Sequence, residues 1–173
     1  MKDPIRPRAT TLIGAALSAS VLLSAAAVPA NAATYVNVRY GYAVSYPADL
    51  LIAEPEADAG DGRAFHARQG TAKMSVWAQW KLDDDVIDQS PEGIAREAAA
   101  DCAGGRGAYR LVKPQLVAVS CITPKGVVIY QKTLISKDEL TTVRFEYPYT
   151  ERERWDHVVT RVAASLQQGK PAQ

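Results

Sequence analysis

His66 is a side chain suited to proton transfer near neutral pH, and Asp61 and Arg63 lie close to it in sequence. Together they form the first candidate polar site. A hydrolase also needs a nucleophile next to its base, commonly shown on a G-x-S-x-G turn, and that phrase is absent. The second histidine, His157, falls in a helix-forming stretch beside an apolar stripe, with no histidine four positions away to complete a zinc pair. No catalytic residue is assigned on these grounds. A hydrolase with a dispersed site, in which His66 is the first residue to test, stands as the alternative to a non-catalytic protein.

The acidic loop Glu56, Asp58, Gly60, Asp61, Gly62 carries oxygens and glycines of the kind calcium sites use. It lacks the D-x-[DN]-x-[DN]-G phrase and the distal bidentate Glu, so it reads first as a solvated hairpin loop and second as a metal-dependent sensor. The run Asp83, Asp84, Asp85 likewise reads as a polar turn ahead of a helix. No metal site and no cofactor are expected. Trp77 and Trp80 have opposite parity on one β-prone run, so if Trp80 shares the core face with Met74 and Val76, Trp77 faces the other layer. There it is either covered by a helix or exposed as an anchor for a protein, peptide or glycan.

The 173 residues hold 20 Lys plus Arg against 19 Asp plus Glu and are 47% hydrophobic, a composition of small globular proteins. The balanced charge and the lack of a basic block argue against a nucleic-acid binder. The N-terminus reads as a secretory signal peptide: Lys2, Arg6 and Arg8, then an apolar stretch from Thr11 to Val28, then Pro29 and Ala30, Asn31, Ala32, with cleavage expected between Ala32 and Ala33. A retained membrane anchor is the competing reading, disfavoured by Gly14, Pro29 and the A-x-A phrase. Residues 1–32 are therefore set apart, and 33–173 are expected to form one domain. The expected location is secreted or periplasmic, with the membrane met only during export. In such a compartment Cys102 and Cys121 are expected to form a disulfide, since no C-x-x-C or Cys/His cluster points to redox or metal chemistry.

These residues need elements to hold them. The alternation Val36, Val38, Tyr40, Tyr42, Val44, Tyr46 predicts two strands broken by a tight turn near Gly41, with one parity inward. Short strands follow at Leu50–Ala53, ending before Pro55, and at Ala64–Arg68; Met74, Val76, Ala78 and Trp80 then mark one face of a longer strand. Ser90, Pro91 and Glu92 are a helix start, and the helix is expected to run to about Cys102. Three β-prone runs, Leu116–Ile122, Val127–Leu134 and Thr141–Tyr147, have connections short enough for an antiparallel meander. Thr150 and Glu153 read as a capping box for a last helix that ends near Gly169 and Pro171, with Trp155, Val158, Val159, Val162 and Leu166 on its apolar face.

The phrase Arg39, Tyr40, Gly41, Tyr42 through Tyr46, Pro47 resembles the aromatic-Gly-aromatic strand ending in Tyr-Pro of the PsbP-like fold. Val128–Lys132, then Phe145, Glu146, Tyr147, Pro148 and the terminal amphipathic helix resemble its closing portion. The fold is shared by an extrinsic photosystem subunit, a Ran-binding nuclear-import factor and secreted bacterial proteins of unassigned role. The resemblance spans most of residues 35–167 and implies an α+β domain, an antiparallel β-sheet flanked by helices. Its phrases determine a fold and carry no active-site motif, so no functional residue is transferred. The sequence thus predicts an exported, non-catalytic domain that binds a protein or small ligand or assists assembly in the envelope. Asp61, Arg63, His66 and Trp77 are its candidate binding residues.

Overall fold

The computed structural model describes residues 31–82 and 87–169. The expected signal peptide up to Ala30 and the run Asp83–Asp85 lie outside them. Two strands, β1 (Ala32–Val36) and β2 (Ala43–Pro47), form an antiparallel hairpin in which Ala32 pairs with Pro47 and Tyr35 with Val44. The remaining strands are β3 (Leu51–Glu56), β4 (Gly62–Ala67), β5 (Lys73–Trp80), β6 (Arg106–Lys113), β7 (Leu116–Ile122), β8 (Val127–Ile135) and β9 (Glu139–Pro148). They make one antiparallel sheet in the order β3-β4-β5-β9-β8-β7-β6. Each neighbour is a hairpin partner except β5 and β9, whose pairing joins the two meanders.

Alternation along these strands gives the sheet two unlike faces. On the first, Leu51, Phe65, Met74, Val76, Val143 and Phe145 are buried beneath the β1–β2 hairpin and helix α2 (Arg152–Ser165). The helix contributes Trp155, Val158, Val159 and Val162, the stripe expected from its spacing. On the second face, helix α1 (Pro91–Ala98) lays Ile94, Ala95 and Ala98 over Val117, Val119, Ile135 and Leu140. Its start is the one the sequence predicts: Pro91 follows Ser90, whose Oγ accepts from the Gly93 N–H at 3.0 Å. A short 3-10 turn, Ala100–Cys102, then carries Cys102 to its disulfide with Cys121, with sulfurs 2.03 Å apart.

Several expectations change. Strand β6 was absent from the predicted elements; it is an edge strand whose register slips between Arg106 and Tyr109, where Gly107 has a φ of +67°. Strand β3 runs on through Pro55 to Glu56, which an edge strand with a bulge after Ala53 permits. The inward parity holds for Tyr40, Tyr42 and Val44, but Val36 and Val38 are 56% and 91% exposed, because Tyr35 is the inward residue of β1 and the buried Asn37 resets the turn. Trp80 sits at the rim, 44% exposed and against the Tyr40 ring, where β5 leaves the core.

The capping box does not form. Tyr149–Glu151 make a 3-10 turn instead, pinned by the Tyr149 N–H donating to Gly126 O, and α2 begins without a side-chain cap. The helix also ends earlier than expected, at Ser165. Gln167 exchanges both backbone hydrogen bonds with Ala43, and Gly169 lies so close to the Gly41 carbonyl that a Cβ would meet its oxygen at 2.1 Å. The C-terminal segment is thus spent as a clasp on the β1–β2 hairpin.

Candidate functional site

The structure separates the residues the sequence grouped. Arg63 and His66 are three apart on β4, so their side chains leave opposite faces of the sheet. His66 Nδ1 contacts Glu54 Oε1 on the second face, and both side chains are about half exposed, so the pair sits in water. Arg63 lies on the first face, its guanidinium 4.8 Å from the Tyr35 ring centroid and 3.8 Å from Glu56. Asp61 offers its backbone carbonyl to Tyr42 Oη at 3.1 Å. Trp77 is half-buried on the second face, opposite Thr142, while α1 packs on β7 and β6, three and four strands away.

The acidic loop serves the fold. Asn37, fully buried, donates from Nδ2 to Glu56 Oε1 at 2.9 Å and to Gly60 O at 3.0 Å, and its Oδ1 accepts from the Tyr40 N–H at 2.8 Å. Tyr35 Oη donates to the same Glu56 oxygen at 2.7 Å. Glu56 is therefore committed to tying the hairpin to β3. Among the described residues there is no cluster of three or more His, Cys, Asp or Glu side chains that could hold a metal ion.

A different site emerges where α2 ends its cover of the sheet. Helix α2 covers β2, β9 and β8, and the first face continues past it onto β7 and β6. The step encloses a groove of about 340 Å³. Its floor carries Tyr109 of β6, Ser120 of β7, Tyr130 of β8 and Tyr147 of β9. Cross-strand register puts them together: Tyr109 pairs with Ser120, Ser120 with Tyr130, and Tyr130 with Phe145, two residues before Tyr147 on the same face. The helix wall is the i, i+4, i+8 row Arg152, Asp156, Thr160, and Tyr149 closes one end.

Two polar ties fix the wall to the floor. Tyr147 Oη donates to Asp156 Oδ1 at 2.8 Å, and Lys132 Nζ donates to Ala163 O near the end of α2 at 2.6 Å. Burial, then the Asp156 carboxylate, pushes the Tyr147 hydroxyl above the usual phenol range; burial, then the Tyr109 phenol, does the same to Tyr130. Burial lowers Lys132. At neutral pH both phenols are neutral; the Tyr147 proton is committed to Asp156, and the Tyr130 hydroxyl can donate to a ligand. Tyr109 is 51% exposed, so one aromatic surface stays open to solvent.

The other hollows are less informative. A cavity of about 730 Å³ is lined by Lys81–Leu82, Ile87–Pro91, Pro114–Gln115 and Ile135–Lys137 and gathers no aromatic cluster among the described residues. A third, of about 420 Å³, includes Arg144 in its lining, already bonded to Asp101 at 2.7 Å and Glu146 at 2.9 Å. The tyrosine groove was missed from sequence because β6 was missed. Tyr130 and Tyr147 stood in predicted strands, but nothing in one strand's pattern showed that Tyr109 and the helix wall met them.

No protein-family model matches the chain, and no curated protein matches it. Among solved structures, it is similar to the solution structure of cyanobacterial PsbP (CyanoP) from Synechocystis sp. PCC 6803, with a TM-score of 0.57 and 13% identity, over 83% of this chain and 96% of that one. At that identity the likeness concerns the fold alone. Two meanders joined through β5 and β9, a hairpin and helix on one face and a helix on the other thus give this chain the PsbP-like fold.

Proposed function

We propose that the protein is an exported, non-catalytic binding domain and that its ligand site is the tyrosine-lined groove between α2 and strands β6–β9. The observation that carries this reading is the convergence of four tyrosines from three strands and a turn on one 340 Å³ hollow. Its size and mixed lining fit a small ligand or the side chains of a short peptide. Tyrosine supplies contact area and a hydrogen-bonding tip at low cost in side-chain entropy. Export is supported by the signal-like N-terminus and by the disulfide, which persists in oxidising compartments.

Two measurements test the two halves. A panel of neutral, cationic and anionic aromatic fragments, followed through backbone amide shifts, is expected to perturb residues of β6, β8 and the first turns of α2. Shifts confined to the Trp77–His66 face or the cavity near Ile135, or none at all, overturn the groove. Cell fractionation is expected to find a chain beginning at Ala33 outside the cytoplasm. A full-length chain retained in the cytoplasm overturns export.

A further inference from the structure

We infer that the groove selects ligands joining an aromatic or apolar body to one anionic group, a carboxylate or a phosphate. This rests on the groove being the binding site. The Arg152 guanidinium lies 5.0 Å from the Tyr149 ring centroid, and that of Arg106 lies 5.5 Å from the same centroid. Among the described residues neither is paired with a carboxylate, whereas Arg63, Arg96, Arg110 and Arg144 all are. Arg152 lines the groove, and its contact with the Tyr149 ring holds a planar donor fork there without neutralising it; Arg106 reaches the same ring from the adjoining hollow lined by Gly104, Gly105, Thr123 and Pro124.

The remaining polar groups point the same way. Asp156 is the carboxylate in the lining and already accepts from Tyr147, while the hydroxyls of Tyr109, Tyr130 and Ser120 make no side-chain hydrogen bond among the described residues. The site therefore offers more donors than charged acceptors. An organic cation, which aromatic walls alone would favour, meets the Arg152 guanidinium in the groove wall and the charge of Arg106 beyond Tyr149. An anion meets a bidentate fork, and its apolar body meets the open Tyr109 ring.

The test compares phenyl phosphate and 3-phenylpropionate with benzyl alcohol, benzylamine and inorganic phosphate, each titrated into the exported chain with amide shifts as readout. Both aryl anions are expected to bind at least about tenfold more tightly than benzyl alcohol, the effect of one charge-assisted hydrogen bond. Inorganic phosphate is expected to be weaker than phenyl phosphate, because it lacks the ring. Arg152→Gln and Arg106→Gln together are expected to abolish the preference for anions. Arg154→Gln, which removes a guanidinium stacked instead on Trp155, is expected to keep it. Melting temperatures of the variants report that they fold. Equal or tighter binding of benzyl alcohol or benzylamine at the groove overturns the charge preference while leaving the groove as a site, as does an anion preference that survives the double substitution. If no probe of any charge moves groove amides, the binding site itself fails and the inference with it.

Discussion

Replacing Asn37 tests the idea that the β1–β2 hairpin is held by one buried amide. The side chain is fully buried, so Asn37→Ala leaves the Tyr40 N–H and the Gly60 carbonyl without their partners. It also removes a donor from Glu56, whose exposed carboxylate can turn to water. Two orphaned backbone groups at about 1–3 kcal/mol each, partly recovered by relaxation, give a loss of about 3 kcal/mol. With a urea slope of about 1.5 kcal/mol per molar, the unfolding midpoint falls by about 2 M. Urea titration followed by tryptophan fluorescence, to which buried Trp155 contributes beside Trp77 and Trp80, reads this.

Asn37→Asp separates hydrogen bonding from shape. The introduced carboxyl keeps an acceptor for Tyr40 but puts its second oxygen where Nδ2 lay, 2.9 Å from Glu56 Oε1. Burial and the neighbouring charge raise its pKa in the folded state above the unfolded value of about 3.9. The folded protein then holds a proton the unfolded chain has lost. Stability relative to the native sequence therefore falls as pH rises from about 4 through the folded pKa, and recovers on acidification. A midpoint shift under about 0.5 M for Asn37→Ala, or a deficit for Asn37→Asp that does not shrink toward pH 4, refutes the reasoning.

Reduction of the disulfide, whose cysteines are 19 positions apart, should lower stability by about 3 kcal/mol on the chain-entropy model while the far-ultraviolet circular dichroism of the folded state persists. A melting temperature unmoved by complete reduction contradicts this. Alkali should unfold the protein cooperatively. Burial raises the hydroxyl pKa of Tyr35, Tyr42, Tyr130 and Tyr147, so above pH ~10 the folded state keeps protons the unfolded chain releases, and stability falls as pH rises. Phenolate absorbance should therefore reach its full eight-tyrosine amplitude only with unfolding. Reversible ionisation of all eight in the folded protein would falsify that.

Elements with a complete local signal were readable in the sequence. Met74, Val76 and Ala78 alternate and are all buried; Ser90 and Pro91 open α1; the Trp155 to Leu166 stripe faces the core. The failures have long-range causes. Strand β6 carries Arg106, Arg110 and Lys113 and a left-handed Gly107, features that blunt an edge strand and also blur its pattern. The Thr150 capping box matched a local rule, but the Tyr149 N–H bond to Gly126, from a hairpin more than twenty residues earlier, fixed a 3-10 turn in its place. Where a distant backbone group competes for the same chain, local propensity gives way.

The same distinction explains why the sequence drew attention to His66 and passed over the groove. Residue type singled out His66, yet its distance of three from Arg63 on a strand already sends the two side chains to opposite faces, a consequence of pleating available without coordinates. Tyr109, Tyr130 and Tyr147 carry the reverse lesson. Tyr130 and Tyr147 look like ordinary strand aromatics and Tyr109 falls where no strand is predicted, so only the β6–β7–β8–β9 register, followed across three hairpins, places them on one face. Arg152 and Asp156 become site residues only because α2 stops short of β7 and β6. A site made where a helix ends its cover of a sheet is set by layer geometry, so in this fold the groove follows from how far α2 reaches, and its chemistry from which residues β6 and β8 happen to show beyond that edge.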